Sequence, residues 1–316
     1  MNLSTNAKTV LEKRYYKKNE NGKPIEDWAG MVTRVARNIA GDNEKDFKKF
    51  YNLLDSGAFL PNSPTLMNAG NDLQQLSACF VLPIEDTMSS IFTTIKNAAL
   101  IHKSGGGTGF SFSRLREANS RVKTTNGVSS GPLTFLEVYN SATNAVKQGG
   151  TRRGANMAIL SVNHPQILEF IKCKEDTTLL TNFNISVGIT EEFMNAVKKN
   201  EEYELISPHT KQVHSRLNAK DVFTTIVEMA HKNGEPGIIF LDRINEYNPT
   251  PQIGEIESTN PCGEQPLLPY EACNLGSINL LNIIKKGKID WDILKQIVRD
   301  SVDFLDNVID KSKFPL

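Results

Sequence analysis

The alternation of strand-like and helical patterns after about residue 155 is the feature that most constrains the fold of this chain. Short apolar runs there are separated by longer segments whose apolar residues recur at helical spacing. The strand-like runs are 155–162, 183–188, 204–207 and 237–241, and the helical segments are 166–174, 191–199 and 219–232. Such alternation predicts an α/β fold.

The N-terminal region has a different pattern. Apolar residues recur at helical spacing over 27–40 and again over 44–54, and Gly57 follows as a helix stop signal. We therefore predict a helical segment over 1–58, followed by the α/β part over 59–316.

Between these parts, local signals predict a loop, a strand and a helix. Residues 59–70 are interrupted by prolines and predict a loop, and 76–82 predict a short strand that carries Cys79. Asp86 precedes a helical pattern over 88–101, a position typical of a helix N-cap.

Three further elements are predicted from the same kinds of signal. Pro132 fits the first turn of a helix that extends to residue 146. A strand is expected over 277–284, and a last helix over 291–309.

The charge balance excludes a global attraction to polyanions. Lys and Arg together number 36, as do Asp and Glu, so the formal net charge is zero. We expect no nucleic acid polymer and no membrane as partner, because no strong positive field is available and no apolar run approaches a membrane span. The polar N-terminus lacks an apolar leader core, so the expected location is cytoplasmic.

The four cysteines are Cys79, Cys173, Cys262 and Cys273, and they form neither a Cys-x-x-Cys pair nor a zinc-ligand pattern. We therefore expect no metal site, and thiols that are either free or part of a redox-active pair. The short spacing between Cys262 and Cys273 suggests a loop that brings two sulfurs near one site. Cys173 lies beside Phe170 on an apolar helix face and is interpreted as packing.

The stretch Asn260-Pro261-Cys262-Gly263-Glu264 concentrates reactive side chains. Pro and Gly disfavour a helix, and an extended backbone would place Asn260, Cys262 and Glu264 on one face. That face would carry an amide, a thiol and a carboxylate, which together can bind, react and transfer protons. The alternative is a Pro/Gly turn around a buried thiol.

Two glycine-rich segments and a basic run could bind anions. Gly105-Gly106-Gly107 lacks the lysine of a Walker loop, so it is either a flexible turn or a place where a ligand approaches the backbone. The cations at 114–123 are either a solvated face or an anion site. The loop 147–154 can hydrogen-bond a base and pair with phosphates, or it is a solvated basic loop.

Three motifs together resemble the large catalytic chain of ribonucleotide reductases. They are Ser77-Ala78-Cys79-Phe80-Val81-Leu82-Pro83, Lys147-Gln148-Gly149-Gly150-Thr151-Arg152-Arg153-Gly154-Ala155-Asn156-Met157, and Asn260-Pro261-Cys262-Gly263-Glu264 with Cys273-Asn274-Leu275-Gly276-Ser277. The form of the last motif looks most like the adenosylcobalamin-dependent (class II) branch. The resemblance implies the N-terminal half of a ten-stranded α/β barrel, about five strands with helices, completed by a C-terminal half or a second polypeptide. We expect the chain alone to be inactive.

The resemblance also implies roles at the reaction centre. Cys262 would become a thiyl radical and abstract the 3′ hydrogen of a ribonucleoside di- or triphosphate. Glu264 would act as base on the 3′ hydroxyl, and Asn260 would hydrogen-bond the substrate. Cys79 and Cys273 would supply two reducing equivalents, and a thioredoxin-like reductant would restore them.

Binding residues are implied in the same way. Ser63, Ala78 and Gly107 would contact the substrate. The residues of a deoxynucleoside triphosphate effector site would be Asp86 at the ribose hydroxyl, Arg116 with Arg121 or Lys123 at the phosphates, and Lys147, Gln148 and Arg152 in a loop that links effector and substrate base. A homodimer is a possible assembly of such a chain.

The sequence also fits other functions. In a class I reductase chain, a separate metal-containing subunit would generate the radical. A fragment of this kind could also be a non-catalytic nucleotide-binding or dimerisation module. A thiol–disulfide oxidoreductase fits least, because such enzymes usually carry Cys-x-x-Cys at a helix start.

Overall fold

The computed structural model describes residues 3–122, 126–146 and 154–316. Within them, the α-helices are α1 Thr5–Arg14, α2 Trp28–Ala40, α3 Glu44–Asp55, α4 Ser63–Asn68, α5 Met88–Lys103, α6 Gly131–Ala145, α7 Ile167–Lys172, α8 Glu191–Lys199, α9 Ala219–Asn233, α10 Leu241–Glu246 and α11 Trp291–Lys311. A 3₁₀ helix spans Leu280–Ile283.

The β-strands in the described residues are short. They are β1 Phe59–Pro61, β2 Cys79–Val81, β3 Gly107–Ser111, β4 Arg121–Val122, β5 Gly127–Val128, β6 Asn156–Ser161, β7 Phe183–Ile189, β8 Glu202–Ile206, β9 Val213–Asn218, β10 Gly237–Phe240, β11 Ser258–Thr259, β12 Pro266–Leu267, β13 Ala272–Cys273, β14 Gly276–Ile278, β15 Ile284–Lys285 and β16 Lys288–Ile289.

The central sheet has six strands in the described residues, in the order β10-β7-β6-β3-β2-β13. The strands from β2 to β10 are parallel to their neighbours and follow one another in chain order, and β13 is antiparallel to β2. Crossover connections between parallel strands are right-handed. Because each successive strand lies on the same side of the one before it, the connecting helices all lie on one face of the sheet. The predicted α/β half-barrel, about five strands with helices, is confirmed, and five of the strands in the sheet are parallel.

The two faces of this sheet have different side chains. Phe110, Leu160 and Val187 lie in the main hydrophobic core, together with residues of the helices α5 to α9. Because side chains alternate along a strand, the other face carries small or polar residues such as Gly109, Ser111 and Ser186. This inner face therefore has room for another chain segment close to the backbone.

A second core joins the two ends of the chain. Phe304 of α11 packs edge-on against Phe50 of α3 and Phe59 of β1, with ring centroids 5.2 and 5.6 Å apart. Such aromatic contacts add to the free energy gained from burial. The core thus crosses the expected boundary at residue 58, and that boundary stays a prediction.

The local predictions hold for the longer elements and fail at several short ones. The predicted loop 59–70 is wrong, because it contains β1 and α4. The side chain of Asn62 accepts from Thr65 N and caps α4, and Pro64 lies in the first turn of that helix. The prediction that Asp86 caps the next helix is also wrong, since Thr87 caps α5 by accepting from Ser90 N.

The predicted strand over 277–284 is wrong over most of its length. Strand β14 ends at Ile278, and the Asn279 side chain then accepts from Leu281 N and starts the 3₁₀ helix. In the parts of the chain that the structure describes, no helix combines the length and the apolar character needed for a membrane span.

Candidate active site

The hairpin formed by β11 and β12 crosses the inner face of the sheet. A Cβ atom on Gly109 would overlap the carbonyl oxygen of Thr259, and one on Gly107 would lie 2.6 Å from Pro261 Cγ. Only glycine allows the hairpin to approach β3 this closely. The glycines of β3 therefore place the Cys262 segment inside the half-barrel.

The segment between the two hairpin strands is a turn, so the predicted extended backbone is wrong. Asn260 Oδ1 accepts from Gly263 N at 3.1 Å and from Gln265 N at 3.0 Å. Gly263 has φ of +89°, a conformation that favours glycine. We name residues 260–265 the Cys262 turn.

The side chains of the Cys262 turn differ in exposure. Asn260 is completely buried, whereas Cys262 and Glu264 are exposed. From the neighbouring strand β7, Asn184 Nδ2 donates to the carbonyl oxygen of Pro261 at 2.7 Å. The turn is thus held by the Asn260 side chain, by the Asn184 amide from the sheet, and by backbone hydrogen bonds from Gly263 N to Asn260 O and from Asn260 N to Gln265 O.

Cys79 and Cys273 lie directly opposite each other where β2 pairs with β13. Both are buried, and both are thiols. Directly opposed residues of an antiparallel pair have Cβ atoms about 4.5–5.5 Å apart, close to the separation that a disulfide requires. The two sulfurs can therefore interconvert between dithiol and disulfide with little movement of the backbone.

The thiol of Cys273 keeps its proton. Its hydrogen bond with Cys79 is the largest cause of a raised pKa, and burial and the negative charge of Glu264 raise the pKa further. Asn260 Nδ2 donates to Cys79 Sγ at 3.6 Å. The predicted residues Asn260, Cys79 and Cys273 are thus brought together.

Two of the predicted substrate residues, Ala78 and Gly107, lie next to this pair. Gly107 lies beside Cys79 in the parallel register of β2 and β3, and Gly107 N donates to Ala78 O at 2.8 Å. Ala78 N donates to Cys273 O at 2.8 Å. Both backbone donors are therefore used within the sheet.

Ser63 begins α4, and its hydroxyl lies 2.8 Å from Tyr15 Oη. The preceding residue, Asn62, donates its backbone N–H to Leu275 O at 2.7 Å. Ser63 is thus connected through its neighbour to the chain just after Cys273.

The predicted effector residues Asp86 and Arg116 form one ion pair. Arg116 Nε donates to Asp86 Oδ2 at 2.7 Å, and His209 Nδ1 lies 3.9 Å from the same oxygen. Arg121 is exposed in β4. The remaining residues predicted for this site, Lys123, Lys147, Gln148 and Arg152, lie outside the described residues. His209 comes from the turn between β8 and β9 and carries no sequence signal of its own.

A buried polar network lies on the helix side of β3. Thr108 Oγ1 donates to Asn156 Oδ1 at 2.6 Å and accepts from His102 Nε2 at 2.8 Å, and Asn156 Nδ2 donates to Thr143 Oγ1 at 3.1 Å. Burial lowers the pKa of His102 to about 4, so the ring is neutral at pH 7. Since Thr108 follows Gly107 directly, the network anchors the start of β3 to α5 and α6.

The comparisons with known proteins show the family. The profile described as "Ribonucleotide reductase, barrel domain" matches residues 77–316, and the one described as "Ribonucleotide reductase, all-alpha domain" matches residues 1–74. The chain belongs to the ribonucleotide reductase large-chain family, as its motifs suggest.

The relatives further define the branch it resembles. The chain is 48% identical over 324 residues to a vitamin B12-dependent ribonucleoside-diphosphate reductase of Mycobacterium tuberculosis, covering 100% of this chain and 47% of the relative. It is 54% identical over 270 residues to the protein of that name from Thermoplasma acidophilum, covering 85% of this chain and 35% of the relative. To the ribonucleoside-diphosphate reductase large subunit of Vaccinia virus it is 32% identical over 341 residues, covering 97% and 44%. The chain spans about half the length of such relatives or less.

Replacing His102 tests the buried network through the pH dependence of stability. The pKa of this ring is lower in the folded chain than the unfolded value of about 6.5, so its contribution is complete above that pH and is lost as the pH falls towards 4. We expect His102→Gln to abolish the part of the pH dependence of the unfolding free energy that comes from this ring, which is up to about 3 kcal/mol between pH 6.5 and 4. Urea unfolding at several pH values measures it, and identical pH slopes for both proteins would contradict the assignment.

Proposed function

We propose that the chain is the N-terminal portion of a vitamin B12-dependent ribonucleotide reductase, which reduces ribonucleotides to deoxyribonucleotides by radical chemistry at Cys262. The observation that carries the proposal is the position of the opposed thiols Cys79 and Cys273 beneath the Cys262 turn. Two relatives that carry vitamin B12 in their names are 48% and 54% identical to the chain, and two others with such names are 31% and 32% identical, about the same as a viral large subunit at 32%. The 48% and 54% identities support the B12-dependent branch over a class I chain.

The dithiol matches the electron and proton requirements of this reaction. Loss of the ribose 2′ hydroxyl as water requires protons and two electrons, and oxidation of two thiols to a disulfide supplies both. Burial protects these reducing equivalents from solvent. A thioredoxin-like reductant would then restore the two thiols.

The exposed residues of the Cys262 turn are assigned to the substrate. The Cys262 sulfur would abstract the 3′ hydrogen as a thiyl radical, and Glu264 would accept the proton of the 3′ hydroxyl. An amide has two N–H donors, and one of those of Asn260 points to Cys79. The other would make the predicted hydrogen bond to the substrate, which requires the substrate to reach this buried side chain when it binds.

Ser63, Ala78 and Gly107 are proposed to contact a ribonucleoside di- or triphosphate. Because the backbone N–H groups of Ala78 and Gly107 donate within the sheet, we assign the direct polar contact to the Ser63 hydroxyl. The Ala78 and Gly107 positions would supply close van der Waals contact beside the thiols.

Adenosylcobalamin is the proposed radical source, and when bound it would supply the initiating radical. The exposure of Cys262 fits this role, because a large group can approach its sulfur from outside the described half-barrel. Among the described residues, none is assigned to the corrin ring. The C-terminal half, or a second polypeptide, is the proposed partner that completes the site.

Substituting the cysteines tests the proposed chemistry in the enzyme assembled with the remainder of its barrel. Cys262→Ser removes the radical site, and Cys273→Ser removes one of the two reducing thiols. We expect each change to lower deoxynucleotide formation by at least about 10³-fold, the order seen when a residue that reacts directly is lost.

Cys173→Ala is the matched control. Cys173 packs against the main core at the end of α7, and burial raises its pKa to about 12, so its thiol is not expected to react. Turnover should remain within about threefold of the unchanged enzyme, in line with a modest change in packing. An active Cys262→Ser enzyme would refute the proposed role.

A second candidate function is deoxynucleotide binding without catalysis. The observation that favours it is the cluster of Asp86, Arg116 and His209, whose side chains meet within the described residues. A carboxylate can bind a ribose hydroxyl, and an arginine can bind a phosphate in a bidentate manner.

Binding measurements test this site independently of catalysis. We expect Arg116→Ala or Asp86→Ala to weaken the binding of a deoxynucleoside triphosphate by about tenfold or more, since each removes a charge-assisted hydrogen bond. Titration calorimetry measures this, with Arg243→Ala, an exposed arginine paired to Glu191, as the control. Unchanged affinity in both site variants would exclude the cluster as the effector site.

A further inference from the structure

Asn260 connects the buried dithiol to the Cys262 turn through the two ends of a single amide. Its Nδ2 donates to Cys79 Sγ, while its Oδ1 accepts from Gly263 N and Gln265 N. The side chain is completely buried, so water cannot replace a hydrogen bond that is lost. Any change at the sulfur therefore acts on the group that holds the turn.

We propose that Asn260 is a positioning residue that couples the redox state of the Cys79–Cys273 pair to the conformation of the Cys262 turn. In the dithiol state the amide is satisfied at both ends and the turn is closed. In the disulfide state the amide loses its sulfur acceptor, and the turn opens more often.

The chemistry of the pair gives the direction of this coupling. Oxidation breaks two S–H bonds, forms one S–S bond and releases two electrons and two protons. The S–S bond, about 2.05 Å long, draws Cys79 Sγ across the strand pair towards β13. The contact with Asn260 Nδ2, at 3.6 Å already long for a hydrogen bond, is then weakened or lost. A buried donor without a partner is unfavourable, so the amide is driven to rotate or shift.

The arrangement of donors in the reduced state supports this direction. The two thiols are hydrogen-bonded to each other, which together with burial raises the pKa of Cys273. Asn260 Nδ2 donates to the Cys79 sulfur of this pair. Forming the disulfide removes the first interaction and displaces the second.

The functional consequence rests on the proposed function. The pair delivers two electrons and two protons, one proton leaving with the 2′ hydroxyl as water and the other ending on the carbon that carried it; the Cys262 turn would then be loosened. Cys262 would then be held in its reactive position again only once the thiols are restored. A radical would not be started at Cys262 when no reducing equivalents are present to complete the reaction.

Hydrogen exchange at Gly263 and Gln265 measures the coupling in the 316-residue chain itself. The chain is compared after reduction with dithiothreitol and after oxidation with diamide, with the Cys79–Cys273 disulfide verified by peptide mass mapping. We expect exchange of the Gln265 amide to be about five- to tenfold faster in the oxidised chain, the change that corresponds to loss of one hydrogen bond. Exchange of the Gly263 amide should change less, because this N–H also donates to the backbone oxygen of Asn260. Equal exchange rates in the two states would overturn the proposal.

Two variants separate the coupling from a general loosening of the turn. Asn260→Asp keeps oxygen acceptors for the turn but lacks the Nδ2 donor, so exchange should be the same in both redox states. Asn184→Ala removes the contact to Pro261 O without touching Cys79, so exchange should be faster in both states with the redox ratio retained. A redox ratio that persists in Asn260→Asp would overturn the role of the amide.

The experiment also keeps this inference distinct from the proposed function. It contains neither substrate nor cofactor, so equal exchange rates would refute the coupling and leave ribonucleotide reduction untouched. Conversely, an active Cys262→Ser enzyme would refute the radical role and leave the hydrogen-exchange result unaffected.

Discussion

The antiparallel pairing of β13 with β2 is the interaction on which the candidate site depends. It adds a strand of opposite direction to an otherwise parallel sheet and sets Cys273 opposite Cys79. After the hairpin of β11 and β12, the same pairing brings the chain back to β2, where Tyr270 N donates to Val81 O at 2.8 Å. A shift of this register by one residue would turn one of the two sulfurs to the other face of the sheet.

The outer face of the parallel sheet stabilises the fold, and the inner face carries the candidate site. On the outer face, large apolar side chains pack against the helices and supply most of the burial that stabilises the fold. On the inner face, Gly107 and Gly109 leave space in which the Cys262 turn lies against the backbone. The fold therefore holds its reactive segment on rigid strands while leaving Cys262 and Glu264 exposed.

The sequence predicts most of the regular elements because their signals are local. Helix α8 has the predicted bounds, since Thr190 caps it and its apolar residues recur at helical spacing. Strand β9 and helix α10 were not predicted; β9 is largely exposed and α10 has only six residues, so neither shows a strong apolar period. The six-residue helix α4 is likewise too short for a period, and its cap at Asn62 determines it.

The candidate site is less predictable because its contacts join distant parts of the chain. The residue types at 260–264 indicate a reactive site. The turn, however, depends on hydrogen bonds that the Asn260 side-chain oxygen accepts, which an alternating strand pattern does not predict. The resemblance implies that Cys79 and Cys273 act as a pair, and the register of β2 and β13 places them opposite each other. No periodic pattern in the sequence predicts this juxtaposition. The network of His102 and the approach of His209 to Asp86 depend on tertiary packing alone.

Disulfide mapping after mild oxidation of the chain tests the central claim most directly, because the claim is that Cys79 and Cys273 form the reducing pair. Peptide mass mapping of the diamide-treated chain should show Cys79 linked to Cys273, with Cys173 and Cys262 alkylated as thiols. A predominant bond between Cys262 and Cys273, or no bond between Cys79 and Cys273, would contradict this account of the site.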